Sequence, residues 1–120
     1  MKEAKKMREK LAALGAVAVL MVMAPTGTAQ AAVDVEAAKE LAKTSDCLKC
    51  HSVDKEKKGP SMQKISEKYR GNPDAQEKVI KHFTSGPTVT LPDGLEIRHR
   101  IITTKDPKEQ ANIADWFLSH

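Results

Sequence analysis

The chain has 120 residues, enough for one small domain, and carries 20 basic against 16 acidic residues. Five of the basic residues, Lys2, Lys5, Lys6, Arg8 and Lys10, crowd into the first ten positions. Without residues 1–31 the balance is fifteen to fourteen, a formal charge of +1, which argues against nucleic acid or an acidic membrane surface as partner.

In chain order, the basic start is followed by Leu11 to Ala24, an uncharged apolar run of 14 residues, and then by Ala29-Gln30-Ala31. A charged n-region, a short h-region and a small-x-small cut site make residues 1–31 a secretory signal peptide. The run is short of the roughly 20 residues that span a bilayer. An uncleaved signal would instead anchor the chain at a membrane, and no cysteine near the cut offers a lipid anchor. Cleavage leaves residues 32–120 as one exported domain of 89 residues, placed in the periplasm.

The spacing predicts a first helix from Asp34 to Ser45, with Asp34 as N-cap and Val35, Ala38, Leu41 and Ala42 on one face. That face is narrow and rich in alanine, which suits close contact with another helix. The helix runs into Cys47-Leu48-Lys49-Cys50-His51, which holds both cysteines of the chain. Cys-x-x-Cys-His is the attachment pattern of a c-type haem. At the end of a helix the spacing puts both thiols on one side, where each can bond a vinyl group on one porphyrin edge. His51 follows at once and can turn under the ring to ligate the iron. The other uses of two cysteines compete poorly. A structural disulfide belongs to small secreted frameworks, a zinc site lacks two further ligands, and a thioredoxin-like motif lacks its βαβ setting.

The run Asp54 to Lys58 reads as a solvated charged loop, or as a lysine patch that steers a partner toward the haem edge. Gly59-Pro60 is a turn signal. Ser61 caps a helix through Tyr69, with Met62, Ile65, Ser66 and Tyr69 on one side, and Gly71 ends it. Asn72 as N-cap and Pro73 at the first turn start a third helix, with Val79, Ile80 and Phe83 as its apolar side and Gly86-Pro87 as its stop. Thr88 to Ile102 reads as a long loop with a short hairpin around Pro92-Asp93-Gly94, and loops of this length are usually functional. Asp106-Pro107-Lys108-Glu109 opens the last helix with something close to a capping box, and Ile113, Trp116 and Phe117 form its buried stripe. Four aromatic residues, Tyr69, Phe83, Trp116 and Phe117, are few for a core. A small domain of this kind often needs a cofactor as part of its interior.

On these residues the chain resembles the class I monohaem c-type cytochromes, small exported bacterial electron-transfer proteins. The resemblance covers about residues 34 to 119. It rests on the helix leading into Cys47, Cys50 and His51, on Gly59-Pro60, and on a last helix ending Ala114-Asp115-Trp116-Phe117-Leu118. It implies an all-α fold of about four helices around one covalently bound haem c, with the first and last helices crossing. It also implies that the Pro60 carbonyl accepts a hydrogen bond from the proximal histidine, a contact that fixes the ring and tunes its basicity.

The departure from the family lies at the sixth iron position, for which the family usually supplies a methionine from the loop before the last helix. Met62 is the only methionine beyond residue 31, and it sits too early, two residues after Pro60. It reads as a core residue. His99, between Arg98 and Arg100, occupies the loop where the methionine is expected, and is the candidate distal ligand. The bland alternative is an exposed loop histidine, with the arginines facing solvent or propionates. His82 is the next candidate, and His120 reads as a frayed end.

The function expected is a one-electron carrier working with exported redox proteins, as a monomer and without catalysis of its own. No nucleophile–base pair or second metal constellation stands out in the sequence. Two other functions fit the same motif. One is a haem protein whose open distal side binds a small gas, and the other is the haem subunit of a larger exported oxidoreductase.

Overall fold

The computed structural model describes residues 32–120. The export signal assigned to residues 1–31 lies outside the described residues. The elements are α1 (Val35–Thr44), a 3-10 turn (Cys47–Lys49), α2 (Met62–Tyr69), α3 (Ala75–Ser85), β1 (Thr88–Thr90), β2 (Glu96–Arg98) and α4 (Pro107–Leu118). The architecture is thus the expected all-α fold of four helices with a small two-stranded hairpin.

Helix α4 is the hub, since α1, α2 and α3 each pack on it. Its contact with α1 is close because the facing residues are small: Ala38, Ala42 and Ala114 are all fully buried. The crossing is also tied by polar groups. The Asp34 N–H donates to Asn112 Oδ1 (2.8 Å), and Asn112 Nδ2 donates back to the Asp34 carbonyl (2.8 Å). Asp34 meanwhile caps α1, accepting from the Ala37 N–H. Val35, expected on the buried face, is 41% exposed, whereas Ala38 and Ala42 are buried and Leu41 packs partly buried against the core.

Helix α2 begins at Ser61, whose hydroxyl accepts from the Lys64 N–H (3.1 Å). Met62 is fully buried and Ser66 donates to the Leu118 carbonyl (2.8 Å), tying α2 to the end of α4. Helix α3 starts later than the sequence suggests. Asn72 does not cap it: its Oδ1 accepts from the Asp74 N–H (2.9 Å), closing a tight Asx turn through Pro73, and the helix begins at Ala75. Gly86 ends α3 in the left-handed conformation (φ +61°), as a C-terminal glycine does.

The hairpin pairs β1 and β2 antiparallel, with Val89 opposite Ile97. At its tip Leu91 and Leu95 bond through their backbones (2.8 Å), and Gly94 takes φ +86°. Helix α4 opens with Asp106 accepting from the Lys108 N–H (2.8 Å). The capping box is not closed directly. The Asp106 N–H donates to the Thr104 hydroxyl (3.1 Å), which in turn donates to Glu109, so Thr104 stands between the two expected partners. At the far end the His120 ring packs on Trp116 (centroids 5.8 Å) instead of fraying. Among the described residues no helix is long and apolar enough to cross a membrane.

Candidate functional site: a cavity lined by two cysteines and three histidines

Ser45 ends α1 and Asp46 turns the chain through a left-handed conformation (φ 58°) into the 3-10 turn. That turn carries Cys47 and delivers Cys50 and His51 to the same wall. The His51 N–H bonds to the Cys47 carbonyl (2.9 Å), so the motif is one compact unit. The two cysteines are free and half-buried, and burial pushes the Cys47 thiol above its usual range. Both line a cavity of about 640 Å³. Its walls are mostly apolar, formed by Val79, Phe83, Ile102, Ile113 and Phe117 among others. The volume falls within the roughly 300–1,000 Å³ of sites that hold organic cofactors.

His51 is held from several directions. Its Nδ1–H donates to the Pro60 carbonyl (2.7 Å), which settles the tautomer, since a carbonyl only accepts. The Phe117 ring meets it edge-on at 5.7 Å and 88°. Gly59 passes so close that a methyl group there would lie 2.7 Å from His51 Cε1. Burial lowers the His51 pKa, and the Pro60 bond opposes that shift in part. In the neutral ring the Nδ1–H bond leaves Nε2 as the unprotonated nitrogen.

His99 stands on the other side of the cavity. Its centroid is 6.1 Å from that of His51, with 42° between the rings. Its Nδ1–H donates to the Arg100 carbonyl (2.8 Å), so it presents Nε2 as well. The segment that carries it is fastened at both ends. The His99 N–H donates to the Pro87 carbonyl (2.8 Å) and the Ile102 N–H to the Phe83 carbonyl (2.9 Å). Thr103 shares a hydrogen bond with the buried Ser45 hydroxyl (3.0 Å), and Arg100 pairs with Asp46 (2.7 Å). The loop that carries His99 is thus bonded to the residues just before Cys47.

His82 on α3 also reaches the cavity and meets His99 edge-to-face, with centroids 4.4 Å apart. Its pKa is lowered by burial and then by the neighbouring His99. Met62 is packed in the core and does not line the cavity. Three contacts were not legible as functional in the sequence: the approach of Gly59 to His51, the approach of Gly86 to His99, and the Asp46–Arg100 pair. The two glycines carried only their turn and helix-stop signals.

The residues present fit a haem. Cys47, Cys50, His51 and His99 all line one mostly apolar space. With imidazole–metal bonds of about 2.0–2.1 Å and ring centroids about 1 Å behind the nitrogens, one metal ion between two imidazoles sets their centroids about 6 Å apart. The His51 and His99 centroids, 6.1 Å apart, leave room for one metal ion between the rings.

Comparison with known proteins gives a consistent result. The Cytochrome c family model matches residues 35–120. Cytochrome c-551 of Azotobacter vinelandii is 27% identical over 88 residues, which cover 71% of this chain and 99% of that protein. The structure resembles the class 1 cytochrome MtoD of Sideroxydans lithotrophicus ES-1 with a TM-score of 0.70 and 54% identity, covering 73% of this chain and 97% of that one. Cytochrome c552 of Nitrosomonas europaea shares the fold, with a TM-score of 0.55 and 23% identity over 68% of this chain and 96% of that one. The chain belongs to the cytochrome c family, as a class I monohaem c-type cytochrome: a haem-based electron carrier with covalently bound haem c.

Proposed function

We propose that this member of the cytochrome c family is a periplasmic one-electron carrier with bis-histidine ligation. Cys47 and Cys50 hold the haem by thioether bonds, His51 is the proximal ligand and His99 the distal one. The observation that carries this reading is the pair of Nδ1-bonded imidazoles set 6.1 Å apart across the cavity. Residues 1–31 act as the export signal and 32–120 as the mature domain, which meets exported redox proteins as a monomer and catalyses no reaction itself.

The bound haem supplies the one-electron couple of its iron. The chain's own residues hold it and tune it. Pro60 draws on the Nδ1–H of His51 and makes Nε2 the stronger donor. The Arg100 carbonyl does the same for His99. Val79, Phe83, Ile113 and Phe117 keep water from the interior. No side chain has to move a proton during the exchange. Imidazole in place of a methionine sulfur removes the ligation that raises haem potentials, so the midpoint lies below those of methionine-ligated relatives.

Low-temperature electron paramagnetic resonance of the ferric protein, wild type beside His99→Ala, tests the ligand set. A low-spin bis-imidazole signal that becomes high-spin in the variant is the expected result. A wild-type signal that is high-spin, or low-spin and unchanged by the substitution, excludes His99 as a ligand. Redox titration and carbon monoxide addition add independent checks. A strongly positive midpoint, or rapid binding of carbon monoxide to the reduced wild type, also contradicts the reading.

A further inference from the structure

An imidazole bound through Nε2 keeps one freedom, rotation about the metal–nitrogen axis. Two contacts restrict it for His99. One is the hydrogen bond from its Nδ1–H to the Arg100 carbonyl. The other is His82, whose ring stands edge-to-face against it at 4.4 Å and 68°. The second contact is the stiffer support. His82 sits on α3 between Val79 and Phe83, both buried in the core, and the Phe83 carbonyl bonds to Ile102 three residues beyond His99. The Arg100 carbonyl belongs to the same loop as His99 and moves with it.

We propose that His82 is a positioning residue that fixes the rotation of the His99 ring and thereby the angle between the two axial imidazoles. This rests on the ligation by His51 and His99 proposed above. The angle between those rings is 42° here. In ferric low-spin haem the two imidazole planes set the energies of the iron d orbitals that hold the unpaired electron. Their relative angle is therefore read in the anisotropy of the g values. An aromatic ring packed edge-to-face prefers a narrow range of tilt, which alanine at the same place does not impose.

The test compares electron paramagnetic resonance spectra of the holo wild type, His82→Ala and His82→Phe. The expected result is that all three stay low-spin. In His82→Ala the largest g value shifts and its line broadens as His99 samples more rotations. In His82→Phe the wild-type line is restored, because phenylalanine keeps the ring contact without the imidazole nitrogens. An unchanged spectrum in His82→Ala overturns the proposal and leaves the ligand assignment standing. A His82→Phe spectrum that matches the alanine variant also overturns it. Loss of the low-spin signal in His82→Ala overturns it too, since His82 would then be needed for ligation itself. Failure of the bis-histidine reading appears separately, in the wild-type spectrum or in its insensitivity to His99→Ala.

Discussion

Asp46 occupies a left-handed backbone position (φ 58°) and holds two cations, Lys49 at 3.0 Å and Arg100 at 2.7 Å. The hydrogen bond from Lys49 holds its carboxyl below the usual carboxylate range; desolvation opposes it, and the charges of Lys49 and Arg100 act with the hydrogen bond. A carboxylate whose folded pKa is depressed stabilises the fold above its unfolded pKa, and that contribution is lost as the pH falls through the folded value. Asparagine tolerates the left-handed region and is close in shape, so Asp46→Asn removes the charge with little change to the backbone. The thermal midpoint of the variant should lie below wild type at neutral pH, and the gap should close as the pH drops below about 4. A gap that stays constant from neutral to acid would show that the pair contributes nothing through its charge. The pairing was invisible in the sequence because its partner lies 54 residues away. Cys47, Cys50 and His51 stood out in the sequence because haem attachment needs all three within five positions, whereas His99 was proposed as a ligand only from its place in the loop before the last helix. Gly59 stood in plain view as a turn residue, but its closeness to His51 depends on where the imidazole ring ends up.

At the scale of elements, the helices were legible where a cap is local. Asp34, Ser61 and Asp106 bond to backbone N–H groups two or three residues ahead, and the helices start where those residues imply. Asn72 was misread because one side-chain oxygen can serve an Asx turn or a helix cap, and the residue type does not distinguish them. Gly86 has a second role that its stop signal hid. A methyl group there would lie 3.0 Å from the His99 carbonyl oxygen and 3.0 Å from Ile101 Cγ1. Gly71 provides a matched control, because its φ is +76° and nothing lies within 4 Å of an added methyl. Alanine at either site bears the left-handed cost of about 1–2 kcal/mol. Gly86→Ala should cost more than Gly71→Ala in denaturant titrations, and should alone shift the ligand-sensitive absorbance of the haem. Equal costs with unchanged spectra would mean that the loop gives way freely at Gly86.

For the whole molecule, the unusual quantity is the cavity. Among the described residues only Met62 and Ile113 are large side chains with essentially no exposure, and Ile113 itself also lines the cavity wall. Val79, Phe83, Ile102 and Phe117 have the same double membership of core and wall. A haem attached at Cys47 and Cys50 would be a central part of what α2, α3, the His99 loop and α4 enclose. Without haem this partly open space of about 640 Å³ leaves its apolar walls facing water, and the burial those side chains contribute to the fold is lost. Residues 32–120 should therefore lack a cooperative thermal transition without haem. Cys47→Ser/Cys50→Ser, freed of any loosely held haem, provides that form, and circular dichroism with heating reads it. The α1–α4 contact, built on alanines and the Asp34–Asn112 bonds away from the cavity, is the part expected to keep residual helix. A melt as sharp and as high as that of the holo-protein would mean that the helices hold one another without the haem, and that the cavity walls close on themselves at little cost.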